Sequence, residues 1–473
     1  MGKFATPESI VTRDLRFGNK TGKLLINPDL SDAEIIRTVV LTVTRASERR
    51  DVGDAEFDLK RIKSEVLESE TEILFEPDEC INRLLNGDML VCMDGEDGAL
   101  VINARSFGTR GIVEPPTETV MRGPREGFIE DLKTNLSLIE RRLKTSDLAI
   151  EKMRIGRKSQ TNVAVCYISS IANPNIVKRI KERLKQIDID GIVDSYALVP
   201  YIEEKQMSLF TQTGYCEKPD IAAAKMLEGR VAIFVDGSPI ALTLPYLLVE
   251  DFQSSEDYYV RSPFATFVRL MRYVGIFLAL LIPALYVALQ NFHYSLMPVR
   301  FTMTIMSSIK GLPVSPLTET LFVILLFEII REASVRMPRA VGMAMSIVGA
   351  LVLGETAVNA GVISSPAVMV TALSSIALFL VPDMISSTSI LRLVYTLVGG
   401  LMGLFGLIIC VLYTLHYICS LNGYGTPYLA PYTPLVFSDF KDSIERGPLR
   451  KMTLRPKAIP NINPKRMGGK NEQ

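Results

Sequence analysis

The sequence contains no tryptophan, only two histidines and no cysteine pair at CxxC spacing. Two histidines are too few for a metal site or a proton relay built on imidazole groups. The six cysteines are scattered along the chain, which predicts free thiols in a reducing compartment. Basic and acidic residues both number 52, so the net charge gives no reason to expect a nucleic-acid partner.

Charged residues are also missing from three long stretches, residues 273–299, 356–382 and 393–438. Each stretch exceeds the roughly 20 residues that a helix needs to cross the hydrocarbon core of a membrane. The residues before 261, in contrast, have the composition of a water-soluble chain, and their start lacks the apolar core of a signal peptide. The sequence therefore predicts an α+β multi-pass membrane protein, with two soluble α/β units at the N-terminus followed by an α-helical transmembrane domain.

Apolar periodicity and turn residues divide the soluble part into helices and strands. Residues 32–48 have helical spacing after Asp32, which is a suitable N-cap, and Pro174 begins a basic helix. Asp-Gly turns at residues 94–95 and 236–237 predict two β-hairpins. No internal repeat is evident.

These patterns predict four domains along the chain. A helix near residues 128–144 is expected to connect the two soluble units, and the tail is expected to be cytoplasmic. The predicted boundaries are residues 1–125 for the first soluble unit, 126–260 for the second with its connecting helix, 261–420 for the membrane domain and 421–473 for the tail.

No catalytic motif is present: the sequence lacks a nucleophile elbow, an HExxH motif and a phosphate-binding glycine loop. We therefore expect no enzyme activity, no cofactor and no metal. A glycine-containing turn before the connecting helix either presents amides and arginines to an anion or forms a hinge that couples the two soluble units. The hinge is the favoured interpretation, and its candidate residues are Arg122, Gly123, Pro124, Arg125 and Gly127.

Basic residues flank the apolar segments and predict the topology of the membrane domain. Arginines precede the first span, three more separate the second from the third, and six basic residues lie between 441 and 457, so all three groups are expected in the cytoplasm. Five full crossings would place the C-terminus outside. We therefore expect four spans plus a re-entrant segment at 367–381, with both termini cytoplasmic. The expected spans are residues 273–292, 317–330, 340–362 and 393–419, after an interfacial helix at 264–272.

Three acids lie within the apolar helices, where a carboxylate is costly and usually faces an ion path, a water cavity or a paired base. Glu328 has Arg331 one turn away, so either a structural ion pair or an ion site fits it. Glu355 has no base within a helical turn, which favours an ion path or a polar contact between subunits. The candidate pore or inter-subunit residues are Glu355, Glu328, Glu319, Gly349 and Gly354.

Several motifs together resemble the GerA family of spore germination proteins. They are RGPREGF at 122–128, IGRKSQTNVAVCYI at 155–168, EIIREASVRMP at 328–338, IVGALVLGETAV at 347–358 and YLAPYTP at 428–434. The resemblance covers nearly the whole chain in order and spacing. It implies an A-type subunit of a germinant receptor in the inner membrane of the spore.

The same resemblance implies partners and an activity. The partners would be a transporter-like B subunit, a C-type lipoprotein subunit, further copies of this chain and membrane lipids. The copies would form a ligand-gated channel that releases monovalent cations and triggers germination. Two alternatives remain: an accessory channel subunit of the SpoVAF branch, which amplifies ion release, and a non-conducting scaffold or transporter subunit.

Overall fold

The structure is a computed structural model, and its chain divides into two compact units, Met1–Arg110 and Gly111–Gln473. Each unit is described separately below. The residues that the structure describes are 10–17, 20–27, 31–48, 59, 63, 71–104, 111–115, 117–338, 341–342, 347, 349 and 352–467.

The first unit is a five-stranded antiparallel sheet with helices. Its strands are β1 (Val11–Phe17), β2 (Lys20–Ile26), β3 (Thr71–Leu74), β4 (Met89–Met93) and β5 (Ala99–Ile102), arranged in the order β1-β2-β4-β5-β3. Helix α1 (Ala33–Glu48) is confirmed with the expected cap, because Asp32 Oδ1 accepts a hydrogen bond of 2.7 Å from the amide of Glu34. A shorter helix, α2 (Pro77–Leu85), leads into β4. The core contains Leu24, Met89, Val91, Leu100 and Ile102.

The second unit begins with a sheet of the same size. Its strands are β6 (Leu148–Ile155), β7 (Thr161–Ile168), β8 (Gly214–Cys216), β9 (Val231–Val235) and β10 (Ala241–Leu244), in the order β6-β7-β9-β10-β8. Helices α3 (Leu132–Arg142), α4 (Pro174–Lys185) and α5 (Pro219–Leu227) accompany it. The expected hairpin around Asp236 and the expected helix at Pro174 are both confirmed. Helix α3 packs into the core of this sheet through Leu132, Leu136 and Ile139.

The two sheets have the same topology, which the sequence analysis did not detect. Along the described residues each has two strands, a helix, a third strand, a helix that begins with Pro-Asp and two more strands, with the five strands in the same spatial order; the second also has a short helix, Val199–Ile202, before β8. The Pro-Asp pairs are at residues 77–78 and 219–220. The last hairpin of each carries the pattern DGxxxAL, at residues 94–100 and 236–242. The expectation of no internal repeat is therefore wrong. The two sheets share their whole topology, whereas the sequence that they share is limited to these two short motifs.

Five helices of eleven or more residues follow the second sheet among the described residues, and part of the expected span 340–362 lies outside them. These helices are α6 (Ser262–Phe292), α7 (Val299–Ile309), α8 (Pro316–Arg336), α9 (Ser365–Leu378) and α10 (Ile385–Cys419). Among the described residues, two segments are long and apolar enough to cross a membrane, Ser262–Phe292 and Pro382–Cys419. Helix α6 is continuous through Pro283, so the expected separate interfacial helix at 264–272 is instead the first part of α6.

Helix α10 differs most from the expectation of one long span, because the chain reverses at Gly403. This glycine has φ 64° and ψ −153°, a conformation that is essentially restricted to glycine. Tyr395 Oη lies 2.8 Å from Thr414 Oγ1. A straight helix would separate these two residues by about 28 Å at 1.5 Å per residue. Residues 385–402 and 404–419 are therefore two antiparallel arms of a helical hairpin.

The segment after α10 returns to the second sheet. A two-stranded ladder, β11 (Asn422–Gly423) and β12 (Thr426–Pro427), follows the hairpin. Tyr424 is buried beside the sheet and donates a hydrogen bond of 2.6 Å to the carbonyl of Ile202. Further along, the amide of Ile462 donates to the carbonyl of Ile171 at 2.9 Å. The C-terminal segment and the second sheet therefore lie at the same end of the helices.

Candidate functional site

The helices bring Glu328 into an ionic cluster. Its Oε1 accepts a hydrogen bond of 2.6 Å from Nη2 of Arg392, whose side chain is only 1% exposed. Its other carboxylate oxygen pairs with the guanidinium of Arg331, one helical turn along α8. The pairing of Glu328 with Arg331, expected from their spacing, is confirmed. One acid thus meets two guanidinium groups within the helical bundle.

Arg392 is a site residue that the sequence analysis missed. Its Nη1 donates hydrogen bonds of 3.1 Å to the hydroxyls of Ser374 and Ser375, both on α9. Arg331 in turn donates to Ser389 Oγ at 2.8 Å. The cluster therefore ties α8, α9 and α10 together through charged hydrogen bonds, which are about twice as strong as neutral ones. The sequence signal that could have identified Arg392 is its position as a single basic residue directly before the charge-free stretch 393–438.

Glu319, near the start of α8, has a different environment. Its side chain is 2% exposed, and one carboxylate oxygen accepts a hydrogen bond from the amide of Ser364, the N-cap of α9. Its second oxygen has no hydrogen-bond partner among the described residues. A negative charge at a helix N-terminus is favourable, because the helix dipole and free amides are positive there. The start of α9 therefore provides a hydrogen bond to one oxygen of this carboxylate and leaves the other oxygen unpaired among the described residues.

Glu355 lies in a π-helical turn, Val352–Thr356, and its side chain is exposed. None of the ion pairs within the described ranges includes it. A Cβ added at the neighbouring Gly354 would meet no atom within 4 Å, so this surface is open in the single chain. A Cβ at Gly349 would instead lie 3.0 Å from Ile330 Cδ1, which makes Gly349 a close contact with α8. The pore or inter-subunit roles of these residues stay predictions.

The candidate hinge residues all lie in the second unit. Gly123 has φ +133°, and a Cβ there would lie 2.9 Å from the ring of Tyr259. Gly127 donates from its amide to the carbonyl of Val113 at 3.1 Å. The remaining candidates are Arg125, whose Nε lies 3.6 Å from Glu114, the exposed Arg122 and the half-buried Pro124. Close packing explains the two glycines, and the hinge role stays a prediction.

Ion pairs hold the first turns of α6 against the soluble part. Arg269 is 0% exposed; its Nε lies 2.8 Å from Asp257 Oδ2 and its Nη1 lies 3.0 Å from Asp442 Oδ1 in the C-terminal segment. Arg272 also pairs with Asp257 at 2.8 Å. Burial alone would raise the pKa of Asp257, but hydrogen bonds from Arg272 and Arg269 outweigh burial and lower the pKa. These arginines, expected at a membrane interface, are thus engaged in protein contacts.

A second junction joins the sheet to the turn between α9 and α10. Tyr215 on β8 donates a hydrogen bond of 2.6 Å to Asp383 in that turn. Nearby, Tyr246 donates to Asp251 at 2.6 Å. Burial raises the pKa of Asp251 to about 8; the Tyr246 hydrogen bond opposes this shift and the like charge of Asp383 adds to it. The junction therefore contains a carboxyl group that titrates near neutral pH.

Comparison with known proteins identifies the class to which this arrangement of two sheets and apolar helices belongs. The family described as Bacillus/Clostridium GerA spore germination protein matches residues 2–458. The chain belongs to the GerA family.

Individual relatives agree with this assignment. Spore germination protein KA of Bacillus subtilis (strain 168) is 39% identical over 83% of this chain and 72% of its own length. Spore germination protein GerLA of Bacillus cereus is 36% identical over 80% and 78% of the two chains. Spore germination protein GerQA of Bacillus cereus is 31% identical over 95% and 89%. These proteins have names that refer to germination, as the resemblance implied.

Two further matches concern the membrane and the soluble part. The uncharacterized membrane protein YfkQ of Bacillus subtilis (strain 168) is 37% identical over 79% of this chain and 73% of its own length. With the two apolar segments, this match indicates membrane association. The crystal structure of the N-terminal domain of the A subunit of the Bacillus megaterium spore germinant receptor GerK3 is 27% identical, covering 51% of this chain and 89% of that one. Its TM-score of 0.24 is too low to support a structural argument.

Proposed function

We propose that this chain is the A subunit of a spore germinant receptor and that its copies assemble into a ligand-gated channel for monovalent cations. It acts without catalytic chemistry, together with a transporter-like B subunit and a C-type lipoprotein subunit in the spore inner membrane. Membership of the GerA family and the names of the relatives support the germination role.

The observation that carries the channel proposal is the exposed carboxylate of Glu355. Along the chain it is flanked by exposed apolar side chains, Ile347 at 71% and Val362 at 48% exposure. A surface of that composition faces either lipid or another subunit, and a charged group facing lipid costs several kcal/mol. Contact with water or a second copy removes that cost. Glu355 therefore favours an oligomer whose subunits share a wet polar surface.

The course of the helices supports cytoplasmic positions for both ends of the second unit. Helix α6 leads away from the second sheet, and α8 runs back beside α6. Helix α9 then returns toward the sheet, and the two arms of α10 complete one more outward and inward pass. The chain thus returns to the end of the helices at which the second sheet lies, which supports a basic C-terminal segment on the same side of the membrane as that sheet, in agreement with the positive-inside rule.

The lengths of these helices limit how they cross. The arms of α10 contain 18 and 16 residues, about 27 and 24 Å at 1.5 Å per residue. Helix α9 contains 14 residues, about 21 Å. A hydrocarbon core is about 30 Å thick. We infer that α9 is re-entrant, as the positive-inside rule led us to expect for residues 367–381, and that the α10 hairpin crosses only where the bilayer is thinned or covered by other subunits.

Reconstitution tests the channel. The full-length chain in liposomes should pass potassium or rubidium ions, and Glu355→Gln should change the conductance or the cation preference while assembly persists, since charge is lost and shape is kept. Glu332→Gln is the matched control, because Glu332 lies on an exposed helix surface and, among the described residues, pairs with Arg336 one turn along the same helix. Ion-tight liposomes containing the fully assembled receptor would refute the channel and favour a scaffold. Lowered assembly with unchanged conductance would assign Glu355 to a subunit contact.

A further inference from the structure

We propose that Glu319 is the centre of a binding site for one dehydrated monovalent cation inside the helical bundle of each chain, completed by Gln290, Tyr286 and Ser364. This inference rests on the proposed function only in its choice of cation class. The site lies within one chain, apart from the exposed surface at Glu355.

The first step is the state of the carboxylate. Glu319 is 2% exposed, and no lysine or arginine pairs with it within the part of the chain that the structure describes. The amide of Ser364 donates to one oxygen, and the second oxygen is buried without a hydrogen-bond partner. Glu328, nine residues later on the same helix, is instead neutralised by two guanidinium groups. Among the described residues, the bundle therefore compensates the partly buried Glu328 and leaves the fully buried Glu319 with an unused oxygen.

The second step is the composition of the neighbourhood. Tyr286 and Gln290 are four residues apart and so share one face of α6. The hydroxyl of Tyr286 lies beside the side chains of Gln290 and Ser364 and within electrostatic reach of Glu319. Tyr286 Oη and both polar side-chain atoms of Gln290 are buried and make no hydrogen bond of acceptable geometry with a described residue. The hydroxyl of Tyr286 therefore connects Gln290 with the hydrogen-bonded pair of Glu319 and Ser364, and several polar atoms of this group are unsatisfied among the described residues.

The third step is the ligand that this set would bind. Unsatisfied buried polar atoms each cost about 1–3 kcal/mol, and a charged group costs more, so a cluster of them is retained only for a reason. The oxygens come from a carboxylate, an amide, a phenol and a hydroxyl, which are hard ligands suited to alkali and alkaline-earth ions. Calcium sites generally use several carboxylates. A single carboxylate therefore favours one positive charge, that of sodium or potassium.

Thermal unfolding of the full-length chain in detergent tests the site without ion flux. The unfolding midpoint in N-methylglucamine chloride is the baseline. Replacement of this salt by sodium or potassium chloride at constant ionic strength should raise the midpoint saturably, because a ligand that binds only the folded state stabilises that state. Glu319→Gln should abolish this rise, and the surface control Glu332→Gln should retain it. No cation-specific rise in the natural chain, or an equal rise in Glu319→Gln, would overturn the site.

A second variant keeps the test decisive if Glu319→Gln fails to fold. Gln290→Leu removes one oxygen ligand and leaves the carboxylate in place, so the titration midpoint should move to higher cation concentration. An unchanged titration in that variant would overturn the assignment. The readout also separates this inference from the proposed function: saturable cation binding in a protein that passes no ions would refute the channel alone, and ion flux without cation-dependent stabilisation would refute the site alone.

Discussion

Removal of the buried pair between Glu328 and Arg392 gives the sharpest test of how the helical bundle is held together. Glu328→Gln leaves the guanidiniums of Arg392 and Arg331 facing an uncharged amide. Arg392 is 1% exposed, so its charge has little access to solvent. Breaking a buried ion pair by removing one partner typically costs about 3–5 kcal/mol, because the remaining charge is uncompensated. We expect Glu328→Gln to destabilise the chain by about 3 kcal/mol.

The reciprocal change should be less costly. Arg392→Met removes the 2.6 Å pair and the two hydrogen bonds to Ser374 and Ser375, but Glu328 keeps its second partner, Arg331. The two hydrogen bonds to serine hydroxyls, at about 1 kcal/mol each, set the expected cost at about 2 kcal/mol, because the loss of the ion pair is offset by removal of the buried Arg392 charge that it compensates. In the double variant the charge of Glu328 and that of Arg392 are removed together. Its loss should therefore be smaller than the sum of the two single losses, by about 2 kcal/mol.

The assay is a double-mutant cycle of unfolding free energies, measured by denaturant titration in mild detergent. The same helix offers a matched control, because Glu332 and Arg336 pair at 2.7 Å four residues apart with side chains 60% and 77% exposed. Exposed pairs at this spacing couple by only about 0.3–0.5 kcal/mol. Additive losses in the Glu328 cycle, or coupling no larger than in the control cycle, would refute the view that this cluster is a buried structural ion pair.

Two further changes test the backbone and the junction. Gly403→Ala should destabilise the chain by about 1–3 kcal/mol through backbone strain alone, and its Cβ would also lie 3.0 Å from His293 Cε1. The control is Gly354→Ala, which adds a Cβ in open space. Equal thermal stability of the two variants would contradict the hairpin. Asp251 holds a proton in the folded chain up to pH about 8, and unfolded aspartate releases it near pH 3.9. Stability should therefore fall between these two values as pH rises, by up to about 1.4 kcal/mol per unit, and Asp251→Asn should flatten that slope in unfolding curves at pH 5, 6.5 and 8. An unchanged slope would show that Asp251 ionises normally.

Local patterns predicted the individual elements of the soluble part well. Asp32 indicated the start of α1, and the Asp-Gly turns indicated both hairpins, because helix capping and tight turns depend on a few neighbouring residues. The equivalence of the two sheets was not recognised. Strand order depends on which strands pair over long distances, and the shared sequence was limited to Pro-Asp at a helix start and DGxxxAL in the last hairpin.

The candidate site was predicted in part. The three acids stood out because charges are rare in apolar helices, and Glu328 with Arg331 followed from helical spacing. Arg392 was missed, since its partner lies 64 residues away in sequence. The sequence also could not predict that Glu319 and Glu328 have different environments, because each environment is formed by helices that meet only in the folded bundle.

Apolar composition by itself determined that the second half of the chain forms long helices that avoid water, because burial of apolar surface depends on residue type and spacing alone. Tertiary structure decided where those helices turn and which charges meet. Gly403 follows other glycines in a uniform apolar run, and its backbone conformation together with the contact between Tyr395 and Thr414 shows that the chain reverses there. A glycine permits a helix and a turn alike, so packing against α6 and across the hairpin selects the turn.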